Sequence, residues 1–246
     1  MLPLINAVPG LVWTYHIMPE AGRAERLPVD CPPEALQGGP GFVWLHLNLA
    51  DVHVSAFLES FPGLTDAARA ALTTHDTNAT LMADDRLLFG TLVDFQREFD
   101  AATRDIGWLH FALFDRIIIT TRLQPIRSID PVRAAIEKNA SRYTRPLQIF
   151  EALVAEFQRG IISTVLELTD ELNVIEDIVY DSELRDERRR LAPVRRVVVR
   201  LHRHLRTMLA LMRRAAAADD EDKPAGLDDV VDRLTNRLEA ADNDVY

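Results

Sequence analysis

The chain has 246 residues, of which 48% are hydrophobic and 27% are charged, and its formal net charge is −10. This length can bury a large core in one domain or two, and the negative charge argues against general nucleic-acid binding. Cys31 is the only cysteine, which excludes a disulfide framework and a cysteine-based zinc site. The first residues do not form a signal peptide, and no stretch reaches the ~18 apolar residues of a membrane-spanning helix. We therefore expect a soluble, cytoplasmic chain.

The first part of the chain mixes strand and helix patterns. Segments rich in aromatic and branched residues predict strands at 11–17, 42–48, 86–96, 108–115 and 116–122. Asp115-Arg116 is the expected tight connection between the last two. Helices are predicted at 51–61 with Asp51 as cap, at 65–72 from Thr65, and at 130–139 with Asp130 as cap and Pro131 in the first turn. We expect a sheet of five to seven strands.

The second part is helical throughout. From Pro146 to about Asp181 apolar residues recur every three or four positions, which predicts a helix about 50 Å long at ~1.5 Å per residue. Residues 182–190 are expected to turn the chain, Pro193 to start a second long helix, and 215–226 to form a polar linker before a third. We predict an α+β fold: a mixed α/β domain at 1–145, flanked by helices, and long antiparallel helices at 146–246 forming a stalk or funnel.

No His-Glu-x-x-His motif, phosphate loop, dinucleotide-binding glycine pattern or nucleophile elbow is present, so enzyme chemistry is not supported. His202 and His204 are two positions apart on a helix and cannot chelate one ion. His46 and Asn48 share a strand face near His53, but a metal site there needs a further carboxylate. We favour hydrogen-bonded histidines at the surface or at the sheet edge over a metal site.

Eleven arginines lie between Arg185 and Arg214. They could bind phosphate, or they could pair with the preceding acidic helix, which carries Glu167, Asp170, Glu171, Glu176, Asp177, Asp181 and Glu183. The net charge of the chain favours the second interpretation.

The closing helix presents two different faces. One is apolar, with Leu227, Val230, Val231, Leu234, Leu238 and Ala241 at helical spacing. The opposite face carries oxygen-bearing side chains without lysine or arginine, namely Asp229, Asp232, Asn236, Glu239 and Asn243. An ordinary solvated face has the same pattern, but rings of oxygen ligands around a symmetry axis would also attract hydrated divalent cations. The helix lacks a convincing stop before Tyr246, and its spacing alone leaves open where it leads.

Four blocks of the sequence carry a family resemblance. They are "VWLHLNLADVHVSAFLE", "DRIIITTRLQPIRSIDPVRAAI", "LVAEFQRGIISTVLELTDELNVIEDIVYD" and "LAPVRRVVVRLHRHLRTMLALMRR". In this order they resemble the CorA-type divalent cation transporters, and most closely the ZntB zinc-transporter branch. The resemblance covers nearly the whole chain from about residue 40.

The resemblance implies a cytoplasmic α/β domain that long helices gather into a homopentameric funnel on the cytoplasmic side of the inner membrane. The Gly-Met-Asn motif of the family's pore mouth does not occur in this sequence. The implied ion is Zn²⁺ or Mg²⁺, transported or regulatory, and no tightly bound cofactor is expected. The implied partners are copies of the chain, divalent cations and, through missing C-terminal helices, the membrane, but not nucleic acid.

Two hypotheses follow. The first is the cytoplasmic funnel domain of a CorA/ZntB-like transporter, which gathers and senses divalent cations, with Asp229, Asp232, Asn236, Glu239 and Asn243 lining the funnel. The second is a helical adaptor or oligomerisation protein that transports nothing.

Overall fold

The computed structural model describes residues 8–29, 36, 39–97, 104–114, 116–181 and 187–245, of which 175–181, 187–190 and 244–245 are described by their backbone alone. The strands are β1 (Leu11–Met18), β2 (Arg23–Arg26), β3 (Phe42–Asn48), β4 (Thr80–Asp84), β5 (Leu87–Phe95), β6 (Ile106–Phe114) and β7 (Ile117–Arg122). The helices are α1 (His53–Glu59), α2 (Asp66–Thr73), α3 (Ile129–Lys138), α4 (Pro146–Asp181), α5 (Glu187–Ala216) and α6 (Leu227–Val245). The predicted α+β fold class is confirmed.

The seven strands form one mixed sheet in the order β2-β1-β3-β7-β6-β5-β4. Only β3 and β7 are parallel neighbours, and every other pair in this sheet is antiparallel. Sequence patterns did not predict β2 and β4, the two edge strands. An edge strand pairs on one side only, and the short polar segment "RAER" of β2 carries none of the apolar alternation that marks a buried strand.

Both faces of the sheet are buried, as the alternation of residues along β3 shows. Phe42 and Trp44 contribute to the core under α3, α4, α5 and α6, whereas Val43 and Leu45 contribute to the core under α1 and α2. Because successive side chains of a strand point to opposite faces, a strand covered on both sides reads as a continuous apolar run. The core on the long-helix side contains residues of the sheet and of α4, α5 and α6. A division into two domains after residue 145 stays a prediction.

The predicted cap of α2 is confirmed, since the Thr65 hydroxyl accepts a hydrogen bond from the Ala68 backbone N–H at 3.2 Å. Val52 occupies the backbone position before α1, one residue later than predicted, but the side chain that caps the helix start is that of Asp51. The Asp51 carboxylate accepts hydrogen bonds from the backbone N–H groups of His53 and Gly10, at 3.0 and 2.8 Å. Asp51 thus ties the turn before α1 to the start of β1.

The predicted cap of α3 is wrong. The helix begins at Ile129 after Ser128, and Asp130 lies inside the first turn, where its carboxylate pairs with Arg97 and Arg133. The Ser128 backbone N–H donates to the buried carboxylate of Asp94 at 3.0 Å, which ties α3 to β5. Burial raises the pKa of Asp94 to about 6.

The long helices follow the prediction with two differences. The helix from Pro146 to Asp181 is confirmed as α4. Pro193 does not start α5 but lies inside it, six residues after Glu187, where the helix lacks the hydrogen bond that an N–H at this position would donate to the Arg189 carbonyl. The expected turn at 182–190 falls partly outside the described residues, and its second half, 187–190, is helical. The predicted connection at Asp115 also lies outside the described residues.

Candidate functional site

The apolar face of α6 is buried as its spacing predicted. Leu227, Val230, Leu234 and Leu238 are each at most 1% exposed, and they belong to the core shared with α4 and α5. The helix starts after Gly226, whose φ of +80° favours glycine, and Asp228 and Asp229 in its first turn complement the helix dipole. Local sequence therefore determines where α6 starts and which of its faces is buried.

The opposite face of α6 is open to solvent. Asp229, Asp232, Asn236 and Asn243 are exposed, and Glu239 is partly exposed. From Asp229 to Asn243 this row extends about 21 Å at ~1.5 Å per residue. We call these five residues the oxygen face of α6.

Two arginines lie close to acids of the oxygen face. Arg213 of α5 donates a hydrogen bond to Glu239, so this carboxylate is partly neutralised within the chain. Arg233 lies close enough to Asp229 for that charge to help raise the arginine pKa, after the larger effect of its hydrogen bond with Glu151. The Arg233 guanidinium donates two hydrogen bonds to Glu151 of α4, at 2.8 and 2.9 Å. Asp232, Asn236 and Asn243 remain the exposed members with no charged partner among the described residues.

One chain does not assemble a chelating site from the oxygen face. Within the described ranges no group of three or more histidine, cysteine, aspartate or glutamate side chains could hold a metal ion. Ligands spaced along a helix attract hydrated cations electrostatically, whereas direct coordination of Ca²⁺ or Mg²⁺ needs about six converging oxygens. The oxygen face can therefore concentrate cations, and its role as a cation site stays a prediction.

A further acid on α6 was not singled out in the sequence. Asp242 lies 2.8 Å from the Nδ1 atom of His202 and 3.7 Å from the Nε atom of Arg206, both on α5. Its position in the sequence, one residue before Asn243, does not predict this contact, because the contact depends on how α5 and α6 pack against each other. Asp242 links the two helices and lies to one side of the oxygen face.

The histidine candidates form ordinary hydrogen bonds. His46 is buried, not at the surface, and its Nδ1 atom lies 2.9 Å from the Thr120 hydroxyl. Its Nε2 atom accepts a hydrogen bond from the Arg122 Nε–H at 3.2 Å, so the neutral ring carries its proton on Nδ1. Burial and the Arg122 charge lower the pKa of His46 to about 3. His53 pairs with Asp51 and not with His46.

The expected pairing of the basic helix with the acidic helix is not what the described side chains show. Glu167 and Glu171 of α4 pair with Arg104, which precedes β6. The α5 arginines that form ion pairs in the described region contact α6, through Arg206 with Asp242 and Arg213 with Glu239. The helix α6 packs against both α4 and α5 and so supplies the acids that α5 meets. The side chains of Glu176, Asp177, Asp181 and Glu183 lie outside the described residues.

A family model described as "CorA-like Mg2+ transporter protein" matches residues 39–246. A search of curated proteins finds no match. Across the part of the chain that the structure describes, no helix has the length and apolar character required to cross a membrane.

Solved structures share the fold at low sequence identity. The full-length CmaX protein superposes with a TM-score of 0.74 at 20% identity, over 96% of this chain and 75% of that one. The ZntB cytoplasmic domain of Vibrio parahaemolyticus gives 0.70 at 13% identity, over 96% and 94%. The soluble domain of CorA from Methanocaldococcus jannaschii gives 0.66 at 13% identity, over 97% and 95%. These matches show the sheet and long helices in a common arrangement.

Proposed function

Because the chain belongs to the CorA-like Mg²⁺ transporter protein family, we propose that it is the cytoplasmic part of an inner-membrane transporter for divalent cations. It gathers and senses the cations, Zn²⁺ or Mg²⁺, for a pore formed by segments outside these residues. Membership of a transporter family confirms the prediction that the chain is not an enzyme.

The observation that carries this proposal is the oxygen face of α6. Its exposed carboxylates and amides lie opposite a fully buried apolar face, so the helix is held in place while these side chains remain in contact with water. Hydrated divalent cations favour oxygen donors, and a row of them attracts cations without stripping their water shell.

Coverage of the solved structures supports the cytoplasmic assignment. The chain covers 94% and 95% of two structures described as a cytoplasmic domain and a soluble domain, but 75% of one described as full-length. These coverages support the proposal that residues 1–246 form the part of the transporter outside the membrane.

Assembly into a homopentamer would multiply the effect of one oxygen face. Around a symmetry axis each copy would contribute Asp229 and Asp232, and a ring of like charges raises the local concentration of counter-ions. Exposed apolar side chains on α4 and α5, among them Leu166 (62% exposed), Val174 (58%) and Val199 (59%), offer surface for contacts between copies.

Isothermal titration calorimetry of the chain with Zn²⁺, Mg²⁺ and Co²⁺ tests the proposal. The Asp229→Asn, Asp232→Asn double variant removes two charges from the oxygen face, and we expect its cation affinity to fall roughly three- to tenfold, about 0.7 to 1.4 kcal/mol. The control variant, Glu20→Gln with Glu59→Gln, loses the same charge at exposed positions outside the helix and should bind as the wild type does. Unchanged binding in the double variant would show that the oxygen face does not bind the cations.

A further inference from the structure

A cavity of about 400 Å³ opens beside the C-terminal ends of β3 and β7, where α3 begins. These two strands are the parallel pair of the sheet, and in open sheets ligands bind outside the carboxyl ends of parallel strands. The volume is within the range of small-molecule sites, which hold roughly 300 to 1,000 Å³. The cavity is built from elements other than α6, so it is separate from the oxygen face.

The wall of the cavity is strongly basic in a chain that is acidic as a whole. Four arginines line it, Arg26, Arg97, Arg122 and Arg133, against the single carboxylate of Asp130. His46 also lines it and is neutral at physiological pH, since its pKa lies near 3. The lining residues therefore carry a net charge of +3, although the chain carries −10.

Two of these arginines are already neutralised by acids. Arg97 pairs with Asp130, and Arg133 pairs with both Asp130 and Glu137. Glu137 also accepts a hydrogen bond from the Tyr15 hydroxyl. This network holds α3 against β1 and orients the two arginines along one side of the cavity.

The other two arginines have no acid partner among the described residues. Arg26 donates only to the backbone carbonyl of Val12, at 3.3 Å. Arg122 donates its Nε–H to His46, and burial lowers the pKa of its guanidinium. Removing a guanidinium from water costs free energy that a carboxylate usually offsets, and none in the described region does so here.

The position of Arg122 is set by a buried chain of hydrogen bonds. The Trp44 indole N–H and the His46 Nδ1–H both donate to the Thr120 hydroxyl oxygen at 2.9 Å, and the Thr120 hydroxyl donates to the Leu45 carbonyl at 3.3 Å. This leaves the His46 Nε2 lone pair for Arg122. Since a neutral ring holds the Nε–H, the terminal guanidinium nitrogens of Arg122 keep their donors for a ligand.

From this geometry we propose that the cavity binds a small anion bearing phosphate groups, of the size of pyrophosphate or a nucleoside diphosphate. Arg122 and Arg26 provide the charge that no carboxylate of the described chain neutralises, and guanidinium groups match phosphate oxygens in two-point hydrogen bonds. The Trp13 ring, which also lines the cavity, lies 4.9 Å from the His46 ring and provides an apolar wall.

Calorimetry with inorganic pyrophosphate, on protein freed of metals by a chelating resin and at 0.15 M NaCl, tests this proposal. Removing metals separates the result from cation binding at α6, so either proposal can fail alone. We expect the wild type to bind pyrophosphate, Arg122→Gln to bind at least tenfold more weakly, and Arg26→Gln at least threefold more weakly. Arg26→Gln guards against misfolding, because that exposed side chain contacts only a backbone carbonyl.

The matched control is Arg104→Gln, which removes one positive charge from a side chain 29% exposed and outside the cavity. It should bind pyrophosphate as the wild type does. A parallel titration with ADP identifies the ligand: tighter binding than pyrophosphate means that the nucleoside also contacts the cavity, and equal or weaker binding means that phosphate alone is recognised. Absence of pyrophosphate and ADP binding at millimolar concentration, or equal loss in Arg104→Gln and Arg122→Gln, would overturn the proposal.

Discussion

At the scale of single residues, the hydrogen bonds around Thr120 explain why a buried histidine is tolerated in the sheet. His46 is 1% exposed, yet both ring nitrogens have partners, one donating to the Thr120 hydroxyl and one accepting from Arg122. A buried polar group without partners costs about 1–3 kcal/mol, so this arrangement removes most of that cost. Protonation of Nε2 would place a proton against the Arg122 guanidinium and would break the contact.

The low pKa of His46 predicts that the stability of the protein depends on pH. The pKa of His46 in the folded protein is about 3, below the ordinary value of 6.5, so the unfolded chain takes up a proton more readily than the folded one. The contribution of neutral His46 to the free energy of unfolding is therefore complete above pH 6.5 and is lost as pH falls towards 3. Between pH 7.5 and pH 5 the loss is about 2 kcal/mol, at ~1.4 kcal/mol per pH unit below 6.5.

The His46→Gln variant isolates that contribution, because every other titrating group is common to the two proteins. We expect the variant to be less stable than the wild type at pH 7.5 by about 1–3 kcal/mol, from lost hydrogen bonds and packing. The difference should narrow by about 2 kcal/mol at pH 5, as measured by urea unfolding at both pH values. A difference that stays constant would contradict the assignment of a neutral, buried His46.

At the scale of secondary-structure elements, local spacing predicted some features well and others not at all. The buried face of α6 and the extent of α4 follow from apolar residues three and four positions apart, which any helix must place on one side. The cap of α3 was wrong because Asp130 lies inside the first turn and pairs with Arg97, which is distant in sequence. Asp51 does meet the start of α1 through the His53 N–H, but spacing gave no sign of its second hydrogen bond, from the Gly10 N–H.

The basic cavity could not be predicted in this way. Arg26, Arg122 and Arg133 lie on β2, β7 and α3, and spacing does not reveal that β7 pairs in parallel with β3, about seventy positions earlier. The same holds for the contacts that α6 makes with α4 and α5. Side chains converge there because of the order of strands and the docking of helices, which only the tertiary structure supplies.

The docking of α6 can be tested with two neighbouring substitutions. Leu234 is 1% exposed and lies in the shared core, so Leu234→Ala should lower the free energy of unfolding by about 2–5 kcal/mol. Asn236 is exposed on the opposite face, and Asn236→Ala should change it by less than about 0.5 kcal/mol. Urea unfolding followed by circular dichroism measures both, and similar small effects would show that α6 is not docked on α4 and α5.

At the scale of the whole molecule, charge is segregated by element. The acidic oxygen face belongs to α6, whereas the arginine-lined cavity belongs to the sheet and α3. Opposite charges at separate places suit a chain that meets cations at one surface and anions at another. Both surfaces sit on elements whose apolar sides are buried, so neither needs a change of fold to bind.

The exposed apolar residues of the long helices predict self-association of the whole chain. Leu166 and Val199 are 62% and 59% exposed, on α4 and α5, and their burial between copies would be favourable at ~25 cal/mol per Å² of apolar surface. We expect light scattering coupled to size-exclusion chromatography to give a mass above the 27.8 kDa of one chain, and the mass should rise with concentration.

The double variant Leu166→Gln, Val199→Gln should shift that mass towards the single chain, because it places two amides in the contact surface. The matched control is Val52→Gln with Leu123→Gln, which changes two equally apolar residues, 81% and 46% exposed, outside the long helices. The control should associate as the wild type does. Two results would show that the apolar surface of α4 and α5 does not drive assembly. One is a wild type that stays at 27.8 kDa at every concentration, and the other is a control whose association is as weak as that of the helix variant. The oxygen face would then have to act in one copy alone, where its acids line up along a helix and do not close into a ring.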